Sequence, residues 1–223
     1  MYVRRIAVVV TAVLAMLLAG VGGAVPAVAA GAPMLLTETT TTPNQEVALP
    51  LEGTVTDITI DWGDGTTTGP INVAGNQVHT YAAVGTYQVS ISGTTLTHFG
   101  GGALVTGMEA LSGVQSWGTL GLTDLSYAFY RATNLTSVPA SLPAAVTDTV
   151  GMFYGASAFD QPIGTWNTSN VTDMDYMFYQ ASAFNQPLGT WDTSNVTRMY
   201  AMFAQASAFD QPLGTWNTSN VTD

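Results

Sequence analysis

The chain has 223 residues, of which 47% are hydrophobic and only 9% are charged. It contains no lysine, and beyond residue 30 the basic residues are Arg131 and Arg198, compared with 15 aspartates and glutamates. Nucleic acids and anionic membrane surfaces are bound through clustered lysine and arginine, so this composition argues against nucleic acids and disfavours anionic membranes. The chain also has no cysteine, which excludes disulfide bonds, thiolate metal sites and a cysteine nucleophile.

The first 30 residues have the three parts of an export signal. Arg4 and Arg5 precede an apolar run over residues 6–19, and small residues at 27–29 supply a cleavage site. The apolar run is short for a membrane span, which needs about 20 residues. We therefore predict a bacterial signal peptide over residues 1–30, a secreted or cell-surface protein, and no membrane span after cleavage.

The next segment, residues 34–97, has the pattern of a small β-sandwich. Residues 58–62 and 87–92 alternate apolar and polar side chains, which predicts two half-buried strands. Between them, Asp64-Gly65 is a tight-turn signal, because glycine accepts positive φ and aspartate can bond nearby backbone amides. Short alternating strands at this spacing favour an antiparallel sandwich.

Three polar residues of this segment, Asp61, Asp64 and His79, also allow a chemical interpretation. The two carboxylates could bind calcium or act as a catalytic pair, with His79 as a base. Calcium takes about six to eight oxygen ligands, and no further carboxylates are spaced nearby. We therefore predict structural roles for all three residues. We predict no catalytic, cofactor-binding or metal-binding residue and no enzymatic activity, and the opposing hypothesis is an enzyme acting through Asp61 or Asp64.

The remainder, residues 98–223, is predicted to be a tandem array with a period of 25 residues. The recurring residues are Phe153, Phe178 and Phe203; Phe159, Phe184 and Phe209; Pro162, Pro187 and Pro212; and Trp166, Trp191 and Trp216. Residues 159–173 and 209–223 differ at one position of 15. The units before about residue 145 are irregular. Within one regular unit, we predict a short strand over residues 196–199 and a helical or 3₁₀ turn over residues 202–206.

Both segments resemble known families. The segment Trp62-Gly63-Asp64-Gly65-Thr66, with residues 79–81 and 85–89, resembles a PKD-type immunoglobulin-like domain. The motif W-[ND]-T-S-N-V-T-[DR]-M-x-x-M-F-x-x-A-x-x-F-[ND]-Q-P-[LI]-G-T-W is similar to the repeat of BspA-like leucine-rich-repeat bacterial surface proteins. The resemblance implies a mainly β fold with short helical turns, in which a PKD-like sandwich precedes a leucine-rich-repeat-type solenoid.

The resemblance also implies an adhesion or protein- and glycan-binding scaffold with an unknown extracellular partner. The alternative is a carbohydrate-binding or spacer portion of a larger secreted enzyme. Because the chain stops partway through a repeat, we expect a truncated array, or an open end that self-associates. No functional residue carries over from the family.

One set of residues in the array is a candidate binding surface. The recurring Met and Phe are expected to pack in the core, whereas four tyrosines are candidates for an exposed ladder. They are Tyr154, Tyr176, Tyr179 and Tyr200. Two weaker alternatives are calcium binding by the recurring aspartates and glycosylation at the N-x-S/T triplets, for which turn roles are favoured.

Overall fold

The computed structural model describes residues 31–101 and 105–223, so the predicted signal peptide lies outside the described residues. The described residues of 34–101 and 105–117 form eight strands and one turn of 3₁₀ helix. They are β1 Met34–Thr40, β2 Gln45–Thr56, β3 Ile58–Asp61, β4 Thr67–Ile71, β5 Gly75–Tyr81, β6 Gly85–Ser92, β7 Thr95–Phe99, the 3₁₀ turn Met108–Ala110 and β8 Leu111–Trp117.

The strands form an antiparallel sandwich of two sheets, as the alternation predicts. One sheet has the strand order β4-β3-β6-β1-β8 and the other has the order β5-β2-β7. On β1, the buried side chains alternate with half-buried ones, so that Met34, Leu36 and Glu38 point into the core. The edge strand β8 comes from beyond the range predicted for the sandwich and pairs with β1. The PKD-like assignment of this sandwich stays a prediction.

The predicted fold class is wrong for the repeat segment, where no leucine-rich-repeat-type solenoid is evident. Residues 118–223 contain no strand of more than one residue and no helix. The predicted strand over residues 196–199 is reduced to a single bridging residue, Arg198, and residues 202–205 form a turn in place of the predicted helical turn. The protein is therefore a mainly β, two-sheet sandwich followed by turn-rich repeats with isolated bridges.

The physical reason is a left-handed backbone conformation at two positions of every unit. These positions are Tyr127 and Arg131, Gly151 and Gly155, Tyr176 and Gln180, and Ala201 and Gln205. A right-handed helix cannot pass through a residue with φ near +56°, the value at Tyr176. The chain therefore turns repeatedly where a helical turn is expected.

Hydrogen bonds between consecutive units replace regular secondary structure. Phe153 N donates to Met177 O at 2.9 Å, and Phe178 N donates to Met202 O at 2.8 Å. The Phe178 and Phe203 rings lie 5.5 Å apart, whereas Trp191 and Trp216 lie 6.3 Å apart. Because both ring pairs are parallel within 2°, consecutive units are closer together at the phenylalanines than at the tryptophans.

One edge strand from each sheet lies against the first units. His98 on β7 forms a parallel bridge with Asp124, and Gly113 on β8 forms one with Ser137. The Trp117 indole at the end of β8 donates to Ser141 O at 2.8 Å. The two halves of the chain share one hydrophobic core, so the sandwich covers the beginning of the repeat segment.

Candidate binding surfaces of the repeat segment

The structure brings the four predicted tyrosines together, and we call them the tyrosine ladder. Tyr154 and Tyr179 stack with ring centroids 4.6 Å apart, and Tyr176 and Tyr200 meet edge to face at 5.3 Å. The two pairs contact each other, because Tyr154 lies 6.5 Å from Tyr176. Tyr200 is 55% exposed and the other three are half-buried. The role of the ladder in binding stays a prediction.

Two further tyrosines, Tyr127 and Tyr130, extend the ladder toward the sandwich. The Tyr130 ring lies 4.9 Å from Tyr154 and 6.0 Å from Tyr127. Sequence reasoning missed them because the unit that contains them is irregular. The bond from Arg131 N to Tyr154 O spans 23 residues, whereas the equivalent bond from Gly155 N to Tyr179 O spans 24. Alignment on a 25-residue period therefore does not superimpose these tyrosines on the later ones.

A row of carboxylates runs beside the tyrosines. Asp124, Asp148 and Asp173 are joined in register by isolated parallel bridges. Burial raises the pKa of Asp148, and the negative charges of Asp124 and Asp173 raise it further. Burial and the charge of Asp175 also raise the pKa of Tyr176. The tyrosines and carboxylates therefore belong to one electrostatically coupled surface.

Arg198 occupies the next position of this carboxylate row. Its Nε donates to Asp175 Oδ2 at 2.8 Å and its Nη2 donates to the same oxygen. Asp173 Oδ2 lies 3.2 Å from Arg198 Nε, and Asp223 Oδ2 lies 3.7 Å from it. The Asp175 carboxylate is almost fully buried and also accepts from Tyr200 N at 2.7 Å. These acceptors raise the pKa of Arg198 and hold its guanidinium on the surface.

A groove of about 900 Å³ forms where the Pro-x-Gly-Thr-Trp segments of consecutive units meet. Thr190 Oγ1 donates to Gly164 O at 2.5 Å, and the indole of Trp191 donates to Ile163 O at 3.0 Å. The groove is uncharged, and its lining consists of Pro162, Gly164, Thr165, Trp166, Pro187, Gly189, Thr190, Pro212, Gly214 and Thr215. Sequence reasoning assigned the recurring prolines and tryptophans to structure and did not identify the groove.

The polar residues of the sandwich are engaged in holding a turn. Asp61 Oδ1 accepts from Gly63 N at 3.0 Å, and Asp64 Oδ1 accepts from Thr66 N at 2.9 Å. His79 Nε2 lies 2.9 Å from Asp64 Oδ2, and its ring is stacked 4.6 Å from that of Trp62. The predicted structural contacts of Asp61, Asp64 and His79 are therefore present.

The asparagines of the N-x-S/T triplets are likewise engaged in backbone contacts. Asn170 Nδ2 donates to Ala144 O at 2.9 Å, and Asn195 Nδ2 donates to Ser169 O at 2.7 Å. In both cases the carbonyl lies 26 residues earlier. These amide groups join consecutive units, which the turn interpretation did not include, whereas Asn167 Oδ1 accepts from Ser169 N at 3.1 Å within its own turn.

Within residues 31–101 and 105–223, no three His, Asp or Glu side chains are grouped so that they could hold a metal ion. No helix in this described part has the length and hydropathy required to cross a membrane.

Comparison with known proteins finds a match in the repeat segment. No curated protein and no solved structure matches the chain. Residues 123–223 match the family model described as "Mycoplasma protein of unknown function, DUF285". The match begins next to Asp124, the first aspartate of the carboxylate row, and includes the whole tyrosine ladder. The repeat segment is thus similar to the proteins of that family.

Proposed function

We propose that the chain is an exported bacterial surface protein whose repeat segment is a non-catalytic adhesion or protein- and glycan-binding scaffold. The observation that carries the proposal is the ordered tyrosine ladder, in which rings from consecutive units are held 4.6–6.5 Å apart. The match of residues 123–223 to a surface repeat family supports it. The export signal predicted for residues 1–30 also supports it.

The mechanism follows from repetition on a fixed scaffold. Side chains that contact a partner weakly gain when neighbouring units present the same groups, because each later contact forms at a high effective concentration. Tyrosine is suited to such contacts, since its ring is large and has few rotatable bonds and its hydroxyl can donate or accept a hydrogen bond. Hydrogen bonds such as Tyr176 N to Tyr200 O, at 2.8 Å, keep the rings in register.

A binding screen with a matched variant tests the proposal. The purified chain is applied to arrays of extracellular matrix proteins, glycans and host cell surfaces, beside a Tyr154→Ser/Tyr179→Ser variant. We expect binding to at least one class of target and a loss of about tenfold or more in affinity for the variant, as hot-spot aromatics contribute about 1–4 kcal/mol each.

The control is Val73→Ser, which changes a side chain that is 75% exposed on the sandwich. This variant is expected to bind like the unchanged chain. Absence of binding to every target would refute the scaffold function. Binding that survives the tyrosine substitutions would instead place the contact on another surface, of which the uncharged groove is the first candidate.

A further inference from the structure

The chain's own arginines dock on the tyrosine ladder surface at both of its ends. The Arg131 guanidinium carbon lies 5.5 Å from the centroid of the Tyr130 ring. At the other end, Arg198 contacts the carboxylates of Asp173 and Asp175. No other arginine and no lysine occurs beyond residue 30. The guanidinium groups of both arginines beyond residue 30 therefore lie on this one surface.

The arrangement of the rings determines which ligand chemistry fits between the two arginines. Tyr154 and Tyr179 stack on each other with an interplanar angle of 25°, and Tyr130 lies against the same column at 4.9 Å. Tyr154 therefore lies between two rings, and its edge and hydroxyl group remain. A sugar ring stacks on an open aromatic face, which Tyr154 does not offer.

The remaining hydroxyl groups are available as hydrogen-bond acceptors. The Tyr179 hydroxyl accepts from Gln205 Nε2 at 2.7 Å, which demonstrates that role in this structure. Asp148 adds a carboxylate that forms no ion pair among the described residues. It lies near enough to Tyr127 for its charge to raise the pKa of that phenol, after the larger effect of burial. Ammonium and guanidinium groups are donors only, so they complement this set of acceptors.

We infer that the tyrosine ladder binds a cationic, arginine- or lysine-rich segment of a partner polypeptide. The segment lies along the consecutive units between Arg131 and Arg198, and its basic side chains donate to the tyrosine hydroxyls and to Asp148. The inference rests on the proposed scaffold function and specifies the chemistry of the partner. Charge complementarity favours such a partner, since the chain beyond residue 30 is strongly acidic.

A direct titration tests the inference with defined probes. A fluorescent heptapeptide of alternating arginine and serine is titrated into the full chain, and fluorescence anisotropy is measured at low and at physiological salt. Peptides with glutamine or glutamate in place of arginine are the comparison probes. We expect the arginine peptide alone to bind, with affinity falling as salt rises, because exposed charges are screened.

Three conservative variants locate the contact. Tyr154→Phe/Tyr179→Phe keeps the rings and removes the hydroxyls, and Asp148→Asn removes the carboxylate charge. Each is expected to weaken arginine-peptide binding by about tenfold, the equivalent of about 1.4 kcal/mol for lost charge-assisted hydrogen bonds. Glu46→Gln removes one charge from an exposed position on β2 and is expected to change affinity by less than about twofold, the scale of a rim charge.

Equal binding of the arginine and glutamine peptides would overturn the inference. Equal effects of Glu46→Gln and Asp148→Asn would also overturn it, because the attraction would then be that of the whole acidic chain. Failure of the proposed function is a separate outcome, since it is measured by the array screen. An array hit on a neutral glycan that depends on Tyr154 and Tyr179 would retain the scaffold function and exclude the cationic partner.

Discussion

The indole Nε1 of Trp191 donates to the carbonyl oxygen of Ile163, 28 residues earlier, at 3.0 Å. The same bond recurs one unit later, where Trp216 Nε1 donates to Leu188 O at 2.9 Å. Trp191 is buried, whereas Trp216 is only partly buried. The recurring tryptophan therefore joins consecutive units through a directional bond as well as through ring packing.

Replacing Trp191 by phenylalanine tests this cross-link. Trp191→Phe keeps an aromatic ring and removes the indole donor, so the Ile163 carbonyl keeps only its bond from Trp166 N. We expect the free energy of unfolding to fall by about 2 kcal/mol, combining the lost buried hydrogen bond with the lost ring volume. Urea denaturation followed by circular dichroism measures it. Trp216→Phe is the control and should cost less than about 1 kcal/mol, because water can reach the carbonyl there. Equal losses would argue against the buried bond as the cause.

A second prediction concerns the left-handed residues that prevent helix formation. Ala201 has φ +51°, a conformation that is costly for any residue with a Cβ. Ala201→Gly removes this strain and should raise the free energy of unfolding by about 0.5–1 kcal/mol, after the entropic cost of glycine. Ala204, three residues later, does not have a positive φ. Ala204→Gly should therefore lower the free energy of unfolding by a similar amount. Thermal denaturation of the two variants measures the difference, and a loss in both would contradict the assignment of strain.

Much of the first half could be predicted from alternation, but the backbone of the repeats could not. The strands around residues 58–62 and 87–92 have the period of two that a half-buried strand requires. In the repeats, the period is visible from the recurring tryptophan and phenylalanine. These residues indicate which side chains pack in the core, but they do not indicate the backbone φ angles. The available signal was indirect: Gly151 and Gly155 occupy the positions at which Tyr176 and Gln180 are left-handed. Because non-glycine residues fill those positions in later units, a helical turn looked acceptable there.

The candidate binding surface could likewise be predicted only in part. The period places Tyr154 and Tyr179 at equivalent positions, so their proximity could be predicted. The stacking of their faces against each other depends on the close approach of the units on that side, and nothing in the sequence specifies that distance. Tyr127 and Tyr130 stayed hidden because their unit is irregular. The uncharged groove could not be predicted, because glycine and proline in a sequence indicate a turn of the backbone and do not indicate a cavity.

A third prediction concerns the carboxyl group inside the sandwich. Glu38 on β1 is 1% exposed, and its Oε2 has no hydrogen-bond partner among the described residues. Burial raises its pKa from 4.5 to about 7. Because the folded-state pKa is raised, the contribution of Glu38 to the free energy of unfolding is fully present below pH 4.5. It is lost as the pH rises to about 7. The loss amounts to about 3 kcal/mol at most.

The variant Glu38→Gln isolates this contribution from other titrating groups. Glutamine has nearly the same shape and no charge at any pH, so the difference between the two free energies of unfolding reports on Glu38. We expect the glutamine variant to gain on the unchanged chain by about 2–3 kcal/mol between pH 4.5 and pH 8. Urea denaturation at several pH values measures the difference. A difference that does not vary with pH would mean that the carboxyl group titrates as it does in water.

The last prediction concerns the groove between consecutive units, where two equivalent glycines differ in their surroundings. A Cβ on Gly164 would lie 2.7 Å from Pro187 O, a backbone atom that cannot move without shifting the next unit. A Cβ on Gly214 would meet nothing within 4 Å. Gly164→Ala should therefore lower the free energy of unfolding by about 1–3 kcal/mol, the usual cost of overpacking.

Gly214→Ala is the matched control for this substitution. It should leave the free energy of unfolding unchanged or raise it by up to about 0.5 kcal/mol, because alanine reduces the entropy of the unfolded chain. The two variants have the same composition and the same position within the repeat, so the contact with Pro187 is what distinguishes them. If urea denaturation gave the two variants equal stability, the close approach of Gly164 to Pro187 would not exist in solution. The groove would then be wider than the structure shows.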